Sequence, residues 1–95
     1  PPIFDATDIL ENPEQALKKI CISVGICFSK KMLKWPKGKR KSDGIWSKYW
    51  YRNVENSSGF QPFQKKNIII DKKLTPLYDK CLVSYNSMYE KRITF

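Results

Sequence analysis

The chain has 95 residues, with 18 Lys and Arg against 9 Asp and Glu and a net charge of +9 at neutral pH. It contains no histidine, which removes the commonest metal ligand and the commonest general base together, and with them a transition-metal site or a Ser-His or Cys-His nucleophile. No run approaches the roughly 20 apolar residues that a membrane-spanning helix needs, and the first residues carry no signal-peptide pattern.

A chain of this length forms one domain at most, burying roughly 60–65% of the surface it exposes when unfolded. Aromatic residues, at 14% of the chain, offset part of that shortage because each ring removes a large area from water. Cys21, Cys27 and Cys81 are odd in number and form no C-x-x-C pair, which fits a reducing compartment and a cytoplasmic location. The opening Pro1-Pro2-Ile3-Phe4-Asp5 reads as the continuation of a longer protein. Charge is unevenly spread: Asp5, Asp8, Glu11 and Glu14 precede the first base, whereas Lys30 to Lys41 holds seven bases and no acid. Such a field attracts phosphates, nucleic acid or anionic lipid without choosing among them.

In chain order, Pro2-Ile3-Phe4 is expected to end a buried strand and to leave through Asp5 into a turn, with Asp8 capping it. Asn12-Pro13-Glu14-Gln15 marks a helix start: Asn12 caps, Pro13 suits the first helical position and Gln15 completes a capping box. Ala16, Leu17, Ile20, Cys21 and Val24 then share one apolar face, and Gly25 ends the helix in left-handed geometry. Ser29 caps a short turn through Leu33, which Trp35-Pro36 stops. Lys37 to Asp43 is a polar loop.

A second helix is expected from Ser47 to the Ser57-Ser58-Gly59 stop, with Trp46, Trp50 and Val54 stacked on one face beside Tyr49. Phe60 to Phe63 is an extended link. Ile68-Ile69-Ile70 is a short strand or a hydrophobic plug, which periodicity cannot separate. Thr75-Pro76 opens the last helix, running to about Lys91, with Leu77, Tyr78, Cys81, Leu82, Tyr85, Met88 and Tyr89 at helical spacing. The expected fold is therefore mainly α, a small single unit over residues 1–95 with three main helices and at most short strand pieces.

The segment with a chemical signature is Lys37 to Lys48. A phosphate site needs positive side chains, open backbone N–H groups and preferably a helix N-terminus facing the anion. Lys39, Arg40 and Lys41 supply charge, Gly44 lets the backbone approach closely, Trp46 anchors the loop or lies against a ligand ring, and Lys48 adds charge at the helix start. The plainer alternative is a solvated basic loop. A nucleic-acid module using Lys30 to Lys48 is a further alternative, since bases stack on aromatic rings. Rings at helical spacing are more often core, which counts against it. The same rule places Tyr78, Tyr85, Tyr89 and Cys81 in the core.

Arg40-Lys41-Ser42 followed by Gly44-Ile45-Trp46-Ser47-Lys48 resembles the C-terminal phosphonucleotide motif of P-loop sulfotransferases, an R-K-G run followed by G-x-W-K. Ser42 replaces the motif glycine, and Ser47 precedes the lysine. A wider pattern is similar to a bacterial-type branch of the family. Met32-Leu33-Lys34-Trp35-Pro36-Lys37-Gly38 leads there to Asp43-Gly44-Ile45-Trp46, then Trp50-Tyr51, then Ser57-Ser58-Gly59-Phe60. Asp5 to Glu14, continuing to Lys19-Ile20-Cys21 and Gly25-Ile26, matches the preceding strand-to-helix element.

This resemblance spans nearly the whole chain but only the C-terminal half of the α/β P-loop sulfotransferase fold. The Gly-rich nucleotide loop and the family's usual catalytic histidine have no counterpart here. It implies that Arg40 and Lys41 hold the 3′-phosphate of 3′-phosphoadenosine 5′-phosphosulfate, with Gly44 and Trp46 shaping the loop and no catalytic residue in the chain. A phosphorylated nucleotide is the implied ligand. The missing N-terminal half is the implied protein partner. A further alternative is a self-associating structural or interaction piece, whose Ile3-Phe4 strand and Ile68–Ile70 plug pair with that half or with a second copy.

Overall fold

The computed structural model describes residues 1–95, and it is mainly helical with no strand or sheet. Five α-helices follow in order: α1 (Ala6–Glu11), α2 (Pro13–Val24), α3 (Ser47–Trp50), α4 (Arg52–Glu55) and α5 (Thr75–Glu90). Short 3₁₀ turns at Lys30–Leu33 and Lys72–Leu74 complete the set.

The first residues differ from the expected strand and turn. Asp5 is an N-cap: its Oδ1 accepts from the Thr7 amide at 2.9 Å, and α1 forms behind it. A cap of this kind contributes about 1 kcal/mol. Asp8 caps nothing with its side chain and instead receives Arg92 Nε at 2.7 Å. Asn12 joins the two helices at φ −144 and ψ 70, away from helical geometry, because the ring of Pro13 crowds the helical conformation of the residue before it. Asn12 makes no side-chain cap bond, so the expected capping box does not form. Its backbone does the work on both sides, donating to Asp8 O and accepting from Ala16 N.

α2 runs over the expected residues and ends at Gly25 with φ +76. Its inner face supplies the two buried residues of the chain, Ala16 and Cys21. Cys21 Sγ lies 3.9 Å from Met32 Sδ on the following 3₁₀ turn, which Ser29 caps at the Lys31 amide as expected. Leu17 and Ile20 are half-buried, while Val24 at the helix end is exposed.

The expected second helix breaks into α3 and α4, four residues each, with Tyr51 between them at φ −98 and ψ 13. The stretch is rich in Trp, Tyr, Asn and Val, all weak helix formers, and single turns have little cooperative support of their own. Residues 60–71 carry no helix, strand or bridge. Ile68 and Ile69 are exposed there, so they are neither a strand nor a plug within this chain.

α5 follows the expected bounds closely, with Lys91 as its C-cap. Its apolar stripe is not covered: Leu77, Tyr78, Cys81, Leu82, Tyr85, Met88 and Tyr89 are all exposed. The expectation of a core there fails because little of the chain lies against the helix. What touches it is the N-terminal segment, where Tyr85 Oη donates to Asp5 Oδ2 at 2.7 Å and the Ile93 amide donates to Ile3 O at 2.8 Å. Arg92 lies over the Tyr89 ring at 3.7 Å while pairing with Asp8.

The whole is open. Its accessible surface is 8501 Å², against about 5,700 Å² for a compact monomer of its mass. The radius of gyration is 16.5 Å, where about 12 Å is usual for the length. The excess is about 2,800 Å².

Two outcomes follow from these contacts. The Tyr85 hydrogen bond holds the Asp5 carboxyl below its ordinary value of 3.8, so the tie contributes stability above the aspartate range and loses it as pH falls through the lowered value. The melting-temperature difference between the wild type and Tyr85→Phe, followed by circular dichroism, is expected to be present at neutral pH and to shrink on acidification; a pH-independent difference would refute this assignment. In sedimentation, the isolated chain is expected to show a mass that rises with concentration, because the α5 stripe is uncovered. A constant mass of 11.2 kDa would count against association through that face.

Candidate phosphate-binding loop

The Lys37–Trp46 loop is held by a clasp at its base rather than by a helix. Lys34 and Gly59 form an isolated antiparallel bridge. Beside it the Trp35 amide donates to Ser58 O at 3.0 Å, and the Trp35 indole Nε1 donates to Ser57 Oγ at 3.2 Å. Phe60 meets the Trp35 ring edge-to-face at 5.4 Å. One step further, the Gly38 amide donates to Glu55 O at 2.7 Å. Gly38 sits at φ +110, a conformation that side chains strongly disfavour. Glu55 also has a carboxylate oxygen shielded from water without a hydrogen-bond partner. Against the outer side of the clasp lies an open cleft of about 840 Å³, bordered by Pro13, Glu14, Lys34, Trp35, Gly59 and Phe60.

Inside the loop, Asp43 Oδ2 accepts from the Arg40 amide at 3.0 Å, and the Asp43 amide donates back to Arg40 O at 3.1 Å. This reciprocal pair closes the turn that carries Lys41 and Ser42. The Arg40 guanidinium turns back and donates from Nη2 to Pro36 O at 2.8 Å. A guanidinium has five N–H donors, so one edge is fixed while the others stay open. The ion pairs of the chain are Lys18–Glu14 and Arg92–Asp8. The side chains of Lys37, Lys39, Lys41 and Lys48 therefore form no ion pair, and neither does the Arg40 guanidinium.

The backbone N–H groups of Gly44, Ile45 and Trp46 form no hydrogen bond within the chain. A Cβ at Gly44 would meet no heavy atom within 4 Å, so the backbone there is open to an approaching group. The expected helix dipole is minor, because α3 is a single turn and few peptide dipoles add along it.

The aromatic residues depart from the expected core. Trp46 and Trp50 stack on each other with centroids 5.4 Å apart and planes at 15°, yet they are 55% and 74% exposed. Tyr49 lies beside Trp46, and Lys48 Nζ sits 5.0 Å above the Tyr49 ring. A helix of one turn followed by a break offers no continuous face to bury.

Two groups result from the residues singled out by sequence. Arg40 is tied to Pro36 and Asp43, with Lys39 and Lys41 exposed beside it in the chain. Trp46 and Lys48 belong to the aromatic group on α3. No hydrogen bond, ion pair or ring contact joins the two groups directly; Gly44 and Ile45 connect them along the backbone. Asp43, Pro36, Trp35 and Ser57 shape the site without having been singled out for that role. Trp35 and Ser57 are 22 positions apart, beyond the reach of any local periodicity.

Comparison with known proteins places these features in a wider pattern. The family model described as sulfotransferase domain matches residues 2–91. Among curated proteins, the chain is 35% identical over 86 residues to branched-chain-amino-acid aminotransferase-like protein 2 of Arabidopsis thaliana. It is 33% identical over 86 residues to branched-chain-amino-acid aminotransferase-like protein 1 of the same plant. Each match covers 90% of this chain but only 15% and 16%, respectively, of the relatives, so the chain spans about a sixth of their length. No solved structure matches.

Proposed function

This chain belongs to the sulfotransferase-domain family, and on that basis we propose that its Lys37–Trp46 loop receives the 3′-phosphate of 3′-phosphoadenosine 5′-phosphosulfate. The observation that carries this reading is the Arg40 guanidinium, which donates to Pro36 O and forms no ion pair, the Asp43 carboxylate being engaged by the Arg40 amide instead. A guanidinium with a fixed edge loses little freedom when its remaining donors take up phosphate oxygens. Lys39 and Lys41 flank it, and the open N–H groups of Gly44, Ile45 and Trp46 add uncharged donors of the kind that line anion sites. Guanidinium, ammonium and amide donors are the groups a phosphate takes. Lys48 raises the local potential, which salt partly screens because the loop is exposed.

When bound, the nucleotide would supply the sulfuryl group for transfer to an acceptor. The residues of this chain bind and orient, and the chain is not proposed to catalyse transfer alone. Completion of the pocket by further protein, an N-terminal P-loop half or a second copy, belongs to the same proposal. Support for it comes from the uncovered stripe on α5 and the excess surface area.

Titration calorimetry tests the reading. The chain is expected to bind 3′-phosphoadenosine 5′-phosphate more tightly than adenosine 5′-phosphate, which lacks the 3′-phosphate. Arg40→Ala with Lys41→Ala is expected to weaken the former about tenfold, the scale of a lost charge-assisted contact in an exposed site. Unchanged affinity in the double variant would sink the proposal.

The exposure of the stacked Trp46–Trp50 pair favours a second reading, a platform for single-stranded nucleic acid. Under it, oligonucleotides are expected to quench tryptophan fluorescence with an affinity that falls steeply as salt rises. A shallow salt dependence, or quenching that survives Trp46→Ala with Trp50→Ala, would reject it.

A further inference from the structure

The clasp at the loop base has no ligand-like chemistry of its own, yet it decides where Arg40 and the loop backbone stand. We infer that Trp35, Ser57 and Gly59 are positioning residues, which hold the phosphate loop in place from its stem. For its ligand this inference rests on the phosphate reading above; for its geometry it rests on the contacts alone.

Arg40 is oriented by Pro36 O, and Pro36 directly follows Trp35. Trp35 is held from three directions: its amide by Ser58 O, its indole N–H by Ser57 Oγ and its ring by the edge of Phe60. Moving Trp35 therefore moves the carbonyl that orients the guanidinium. Ser57 is itself anchored, since its Oγ donates to Val54 O at 3.0 Å. A single hydroxyl thus connects the end of α4 to the loop base, donating to one partner and accepting from the other.

Gly59 sets how close the two segments come. A Cβ there would stand 3.2 Å from Leu33 O, tight enough to push apart the backbones that the Lys34–Gly59 bridge joins. On the other side, Gly38 N to Glu55 O closes the same loop one turn further in. The segment from Gly38 to Glu55 is therefore tied at its two ends, and the stem outside those ties has one hydroxyl and one glycine that set its spacing.

Hydrogen exchange combined with nucleotide binding tests this. The variants are Ser57→Ala, Ser57→Thr, Trp35→Phe and Gly59→Ala, with Trp35→Phe keeping an aromatic ring, smaller than the indole, while removing the indole donor. In Ser57→Ala, Trp35→Phe and Gly59→Ala, amide exchange at Gly38 and tryptic cleavage after Lys39, Arg40 and Lys41 are expected to rise. Exchange within α2 is expected to stay unchanged. The preference for 3′-phosphoadenosine 5′-phosphate over adenosine 5′-phosphate is expected to fall about two- to tenfold, the range for one lost hydrogen bond. Ser57→Thr, which keeps the hydroxyl, is expected to retain both properties.

If exchange and cleavage in the loop do not change in any of the three variants, the positioning inference is overturned. If they change but the wild type shows no preference for the 3′-phosphate, the clasp stands as the loop's anchor and the phosphate reading falls. If exchange rises equally throughout α2, the residues support the fold as a whole, and the specific positioning role is rejected.

Discussion

The bridge between Lys34 and Gly59 is the contact on which the middle of this molecule depends. It is one pair of residues with no sheet around it, and it joins the stem before the basic loop to the stem after α4. Without it, α3 and α4 would be isolated single turns, well below the length at which a helix is stable alone. The surrounding contacts explain how so small a bridge persists: an indole N–H, an aromatic edge and a second backbone bond at Gly38 all close the same ring of chain. Each contributes about 0.5–1.5 kcal/mol, and they act together because they restrain the same two backbones.

Local chemistry was legible where one element decided its own ends. The proline and glycine bounding α2, the Ser29 cap and Pro76 in the first turn of α5 act over a few residues, and the structure follows them, although Thr75 lies inside α5 behind Leu74 and does not cap it. Asp5 was also legible in principle, as a capping residue ahead of Ala6-Thr7-Asp8, but the apolar Ile3-Phe4 pair drew that segment toward a strand. The middle helix was over-extended, since the spacing of Trp46, Trp50 and Val54 cannot show that Tyr51 leaves helical geometry. The charge run and Gly44 located the basic loop, and the resemblance gave it a ligand. The partners of Trp35 and the orientation of Arg40 depend on contacts across the chain, which spacing does not encode.

The failures of burial have one cause. Aromatic and aliphatic residues at helical spacing predict an apolar stripe correctly, but a stripe becomes core only when another surface covers it. In α2 the cover is α1 and the 3₁₀ turn, and Ala16 and Cys21 are sealed. In α5 the cover is the short N-terminal segment, and the stripe stays open. The loop thus sits in a region stabilised by hydrogen bonds and ring contacts more than by apolar burial, which leaves its charged groups in a high-dielectric setting. Their attraction for an anion is correspondingly sensitive to ionic strength.

The bond from Tyr85 to Asp5 spans 80 positions, and this distance orders events in time. Closing a loop of that size costs only slightly more entropy than closing one half as long, but it cannot begin until the far end exists. During synthesis α1 and α2 can form, cap and pack while the rest is still being made. The bonds that Asp5 and Ile3 make to Tyr85 and Ile93 must wait for those residues to emerge from the ribosome. The last turns of α5 therefore determine when the two ends of this segment are tied together.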